Sequence, residues 1–97
     1  MEIRLLYFEG CPNVVEAERR VRDALGDRPD VSMIRHQVAD IEEAERVGMH
    51  GSPTILIDGT DPFADSDLPV SWSCRVYSPA DGSQGVPSLE RLVEVLA

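Results

Sequence analysis

Ile3-Arg4-Leu5-Leu6-Tyr7-Phe8-Glu9-Gly10-Cys11-Pro12-Asn13-Val14 decides how this chain is read. Its first six residues carry apolar side chains on both alternating faces, as in a central strand covered on two sides. Glu9-Gly10-Cys11-Pro12-Asn13 then breaks the run. From Asn13 to Leu25 the apolar residues Val14, Ala17, Val21, Ala24 and Leu25 recur at helical spacing, with Arg and Glu between them. Pro12 suits the first helical turn, where its absent N–H costs nothing, and Gly26 suits the helix end. A strand that passes through a short Gly-Cys-Pro turn into an amphipathic helix opens a βα unit.

Asp27 to Asp30 reads as a turn, and Val31 to Val38 as a second, less regular strand. Asp40 and Glu43 have the spacing of a capping box and open a short helix through Val47 that stops at Gly48. Beyond Gly51-Ser52-Pro53, the β-branched run Thr54 to Ile57 is a third strand, and Asp58-Gly59 is a turn signal. A Pro- and Asp-rich loop from Gly59 to Val70 leads to a fourth strand, Ser71 to Tyr77, and Ser78 to Pro87 is a second loop. Ser88 caps a last helix whose apolar stripe is Leu89, Leu92, Val93 and Leu96. The order βαβαββα predicts an α/β fold, a four-stranded mixed sheet flanked by helices on both faces. Its start is a right-handed parallel crossover, and its closing strands form an antiparallel hairpin in the same sheet. At 97 residues the chain, 1–97, is expected to form a single domain.

Hydrophobic residues make up 42% and charged ones 28%, as in an ordinary globular protein. The apolar runs fall far short of the roughly 20 residues of a membrane span. No basic start and apolar h-region opens the chain, so a cytoplasmic location with no membrane partner is expected. Eighteen acids face nine bases, all Arg, for a net charge of −9. Such a domain repels nucleic acid and anionic lipid surfaces. Arg19, Arg20 and Arg22 alternate with Glu16, Glu18 and Asp23 on what reads as a solvated helix face. No phosphate loop, nicotinamide fingerprint or Ser-His-Asp arrangement is present, and no cofactor is expected.

The chemistry centres on Cys11. A thiol between a strand end and a helix start sits where free amide groups and the helix dipole favour an anion. Its pKa is expected below the free value of about 8.5. The alternative is a small apolar residue tucked into a turn. Cys74 shares a strand face with Trp72 and Val76, which reads as a buried core position. If the hairpin returns that strand to Cys11, with Cα atoms within about 7 Å, it is instead a second redox thiol. Two thiolates also suit a soft metal or organomercurial. His50, three residues before Pro53, is either a base near Cys11 or a solvated loop residue, and His36 has no evident partner. Asp58, Asp61, Asp65 and Asp67 lack calcium-loop spacing and read as an acidic turn.

Tyr7-Phe8-Glu9-Gly10-Cys11-Pro12-Asn13 and Gly51-Ser52-Pro53-Thr54, followed by a hairpin and a C-terminal helix, resemble the thioredoxin-like superfamily. Gly51 to Gly59, Asp61-Pro62-Phe63 and Ser73-Cys74-Arg75-Val76-Tyr77 also look like small bacterial thioredoxin-like proteins, some of them selenoprotein relatives. The resemblance implies thiol–disulfide exchange with Cys11 as nucleophile on a thiol or disulfide substrate, protein or glutathione-like. It implies a cis Pro53 beside Cys11, a substrate surface of Pro12, Ser52, Pro53 and Thr54, and a Ser52 backbone offered to an extended substrate. The chain departs from the dithiol pattern at Val14, where Cys-x-x-Cys has its second Cys. Cys74, an external thiol, or neither then resolves Cys11. Without a redox cycle the fold is a binding module, and with Cys11 and Cys74 as a pair it is a handler of thiophilic metals.

Overall fold

The computed structural model describes residues 1–65, 67–83 and 85–97; Ser66 and Gln84, which fall in the two expected loops, lie outside them. In chain order the elements are β1 (Glu2–Tyr7), α1 (Val14–Leu25), β2 (Ser32–Gln37), α2 (Ile41–Val47) and β3 (His50–Ser52). They continue as β4 (Thr54–Ile57), β5 (Ser71–Cys74), β6 (Gly82–Ser83), β7 (Val86–Pro87) and α3 (Leu89–Leu96). This is a small α/β fold with three helices and a mixed three-stranded sheet, β2-β1-β4.

β1 is central because both its faces are apolar. It pairs parallel with β2, from Glu2↔Ser32 to Tyr7↔Gln37, and antiparallel with β4, from Ile3↔Ile57 to Leu6↔Thr54. Ile3 and Leu5 point into a cluster with Val14, Ala17 and Val21 of α1 and Leu92 and Leu96 of α3. Leu6 points the other way, onto Val38, Ala44, Met49 and Leu56 under α2. Each fully buried side chain of this size contributes about 1.5–3 kcal/mol, so these two clusters carry most of the fold. The helix ends follow local rules. Asp40 Oδ1 accepts from the Glu43 N–H at 2.8 Å, Ser88 Oγ accepts from the Arg91 N–H at 3.1 Å, and the Gly48 N–H closes α2 on the Ala44 carbonyl. In α3 the expected stripe narrows, because Leu89 and Val93 are exposed and only Leu92 and Leu96 are fully buried.

The expected fourth strand does not join the main sheet. β5 ends at Cys74 instead of Tyr77 and pairs parallel with β3, His50↔Ser71 and Ser52↔Cys74, instead of antiparallel with β4. The chain after β4 turns at once through Asp58 (φ 49°) and Gly59 (φ 85°). The Ile57 N–H then donates to the Thr60 carbonyl at 2.8 Å, which occupies the end of the β4 edge. β3 admits β5 because Gly51 has no side chain. A Cβ there, at φ 103°, stands 2.9 Å from Arg75 Cα. A short hairpin, β6–β7, lies within the stretch expected as loop.

Gly51→Ala therefore combines left-handed strain with a backbone clash and is expected to lower stability by about 1–3 kcal/mol, read as a lower urea midpoint at unchanged slope.

Candidate functional site

β1 delivers the chain into the turn that holds Cys11. Gly10 takes φ 83°, and the Cys11 N–H donates to the Phe8 carbonyl at 3.2 Å. α1 starts later than its sequence suggests, at Val14. Pro12 is exposed in the preceding turn and not in the first helical turn, because Asn13 is the N-cap and its carbonyl takes the Ala17 N–H at 3.0 Å. The Asn13 side chain makes no cap bond, whereas Asp40 and Ser88 both cap their helices. Cys11 is 8% exposed and packs among Val14, Val86 and the α1 cluster.

Across this turn, Ser52 Oγ accepts from the Phe8 N–H at 3.3 Å, and the Ser52–Pro53 peptide bond is cis. Of the residues expected to form a substrate surface, Pro12 is exposed and Ser52, Pro53 and Thr54 are buried. The Ser52 carbonyl accepts from the Arg75 N–H at 2.9 Å, so β5 lies along the backbone expected to face an extended substrate. Thr54 Oγ1 donates to the Gly51 carbonyl and accepts from the His50 N–H, and the Tyr77 hydroxyl donates to the Pro53 carbonyl at 2.8 Å.

The reading of Cys74 as a core position is corrected. This residue is an exposed free thiol, and Trp72 and Val76 are 40% and 81% exposed. The inward residues are Arg75 and Tyr77. A guanidinium cannot be buried alone, and Arg75 donates to Asp61 Oδ2 at 2.7 Å with both side chains almost fully covered. It also stacks 4.4 Å from the centre of the Tyr77 ring, against which Phe63 packs edge-on. At the end of β5 and directly after it, Arg75 and Tyr77 are buried while Cys74 and Val76 are exposed. Burial pushes the Tyr77 hydroxyl well above its ordinary pKa, so it stays a donor to Pro53.

Two cysteines thus occupy one end of the molecule, both as free thiols. Cys74 is the register partner of Ser52, Ser52 holds Phe8, and Phe8 holds Cys11. Gly85 closes the same corner. A Cβ on it would collide with Asn13 Nδ2 and stand 3.3 Å from the Arg75 carbonyl, so the Cys11 turn, the β5 exit and the β6–β7 hairpin converge. Beside them a cavity of about 470 Å³ opens at the carboxyl ends of β1 and β2, lined by Phe8, Glu9, Gln37, Val38, Ala39 and Trp72.

His50 is not part of this corner: its Nδ1 lies 3.1 Å from the Pro69 carbonyl. His36, without an evident partner in sequence, has two: Nε2 lies 3.0 Å from Glu43 Oε2, and Nδ1 lies 3.2 Å from an Arg4 guanidinium nitrogen. Asp61 leaves the acidic turn to pair with Arg75. The only hint in the sequence was an Arg within a strand-like run. Among the described residues no three His, Cys, Asp or Glu come together to hold a metal ion, and no helix is long and apolar enough to cross a membrane. Comparison with known proteins gives no match to a family model, a curated protein or a solved structure.

Asp61→Asn strips the buried Arg75 of its counter-charge and is expected to cost about 3–5 kcal/mol by urea unfolding, one of the largest losses for any polar substitution in the chain. The His36 ring and the Ala39 N–H hold the Glu43 carboxyl below its ordinary value of 4.5. A depressed carboxyl contributes stability that is complete above the unfolded value and lost as pH falls through the folded one. Melting temperature should therefore decline below pH 4.5, and the decline should be shallower in Glu43→Gln.

Proposed function

We propose that the chain is a thioredoxin-like protein that carries out thiol–disulfide exchange through Cys11, with Cys74 as the second thiol. The observation that carries this reading is the β3–β5 register. It sets Cys74 against Ser52, whose side chain holds the turn containing Cys11. Position 14 is Val, yet a second sulfur is still supplied at this end of the sheet, by a strand instead of the next helical turn. The α1 amide groups, which receive no side-chain acceptor from Asn13, are available to an anionic sulfur leading into the helix.

The exchange balances with two thiols. The Cys11 thiolate attacks one sulfur of a substrate disulfide, forming a mixed disulfide and expelling the other sulfur as thiolate. The Cys74 thiolate then attacks Cys11 Sγ, expels the second substrate thiolate and leaves a Cys11–Cys74 disulfide. Two electrons have passed to the substrate, and a low-molecular-weight thiol or dithiol returns the protein to its reduced form. A second reading, a thioredoxin-like binding module without a redox cycle, is favoured by the burial of Cys11 and by β5 covering Ser52.

Mass spectrometry of the reduced protein after exposure to glutathione disulfide separates the two. Wild type should end as the internal disulfide, Cys74→Ser should trap glutathione on Cys11, and Cys11→Ser should lose about tenfold or more in rate. If Cys11 stays unmodified in every form while Cys74 alone takes glutathione, the exchange reading falls and the binding module stands.

A further inference from the structure

The cavity between Trp72 of β5 and the ends of β1 and β2 combines an aromatic and aliphatic wall with a single charge. Phe8 and Trp72 meet edge to face with ring centres 6.0 Å apart, and the Trp72 indole N–H donates to the Val38 carbonyl at 3.0 Å. Those two contacts fix Trp72 over the ends of β1 and β2. Val38 and Ala39 line the cavity with them, and Gln37 and Glu9 supply its polar side chains. At about 470 Å³ it holds a long side chain, with room left for water.

Its charge is uncompensated. Among the described residues no ion pair engages Glu9, an exposed carboxylate. Nor is there a free arginine nearby to neutralise it. Every arginine but Arg46 already pairs with a carboxylate of this chain, and Arg46 does not line the cavity. The net charge of −9 therefore reaches solvent as a negative field, which draws in cations.

We propose that this cavity binds a lysine or arginine side chain presented by a partner polypeptide close to its disulfide. A methylene stem packs on Phe8, Val38 and Trp72, and the cationic head meets the Glu9 carboxylate and the aromatic wall. The placement follows from β5. Trp72 and Cys74 are both exposed and two residues apart in sequence on this one short strand, whose pairing with β3 is irregular between His50 and Ser52. A basic residue seated against Trp72 sets a cysteine two or three residues away over the Cys74 end of the strand. The cavity itself stands independently of thiol chemistry; only the position of the partner's cysteine rests on the exchange reading.

Trp72 is the sole tryptophan of the chain, so its emission reports the cavity directly. The reduced full-length protein is titrated with a blocked, cysteine-free hexapeptide containing one arginine, with its glutamate twin, and with spermidine. The arginine peptide should shift Trp72 emission saturably and the glutamate twin should not. Glu9→Gln should weaken the arginine peptide by about threefold to tenfold and flatten its salt dependence. No saturable shift, equal binding of the twin, or unchanged affinity in Glu9→Gln overturns the site. Spermidine binding as tightly as the peptide overturns the polypeptide source. The same two peptides, each then given a mixed disulfide two residues from the variable position, are reacted with the protein beside glutathione disulfide. A faster reaction of the arginine form supports the placement, and equal rates refute it. Failure of all three disulfides to react refutes the exchange reading while leaving the emission result to decide the cavity.

Discussion

The buried pair of Arg75 and Asp61 is the constraint on which the candidate site depends. An unpaired guanidinium in the interior costs several kcal/mol, so once Arg75 is inside, Asp61 must come to it. The contact at 2.7 Å draws the loop after β4 back across the molecule and holds the β5 exit against β3. Tyr77 completes the arrangement, with its ring against the guanidinium and its hydroxyl on the Pro53 carbonyl. Strand, loop and the Ser52–Pro53 segment are thereby locked as one unit, and no buried polar side-chain atom among the described residues is left without a partner.

From that lock follow both the accessibility and the neighbourhood of the thiols. Cys74 is exposed on β5, as is Trp72, and the β3–β5 pairing covers Ser52 at the edge where it stands. The exposed residues of β5 and the cavity lined by Phe8, Val38 and Trp72 are thus open to solvent, whereas β3 is covered by β5. Cys11 packs in the α1 and α3 cluster, in a turn tied to Ser52 through Phe8. Charge acts in the same direction. Glu16 and Glu18 are held below the ordinary carboxylate range by hydrogen bonds from Arg19 and Arg35, respectively, so most basic groups are spent inside the chain and the outer field stays acidic.

What was legible in advance divides along sequence separation. The opening strand, the apolar face of α1, the Asp40 and Ser88 caps and the stops at Gly26 and Gly48 are written within a few residues of one another, and each appears where its pattern stood. The Cys11 turn was legible for the same reason, short of its offset from the helix start. β3 was not, because a Gly and a Pro inside five residues carry no strand signal and its ladder exists only through contact with β5. His36 and Glu43, seven residues apart on different elements, met only when α2 folded onto the sheet.

The sequence by itself determined an acidic α/β domain with helices on both sides of a strand-rich core and a cysteine between its first strand and first helix, because periodicity, caps and composition act locally. Tertiary structure alone decided that β5 leaves the main sheet, that Arg75 and Tyr77 face inward, and that Cys74 and Trp72 face solvent. The physical reason is a pairing across the chain: which side chains of this stretch turn inward rests on a carboxylate fourteen residues away, Asp61, reaching a guanidinium that cannot be buried without it.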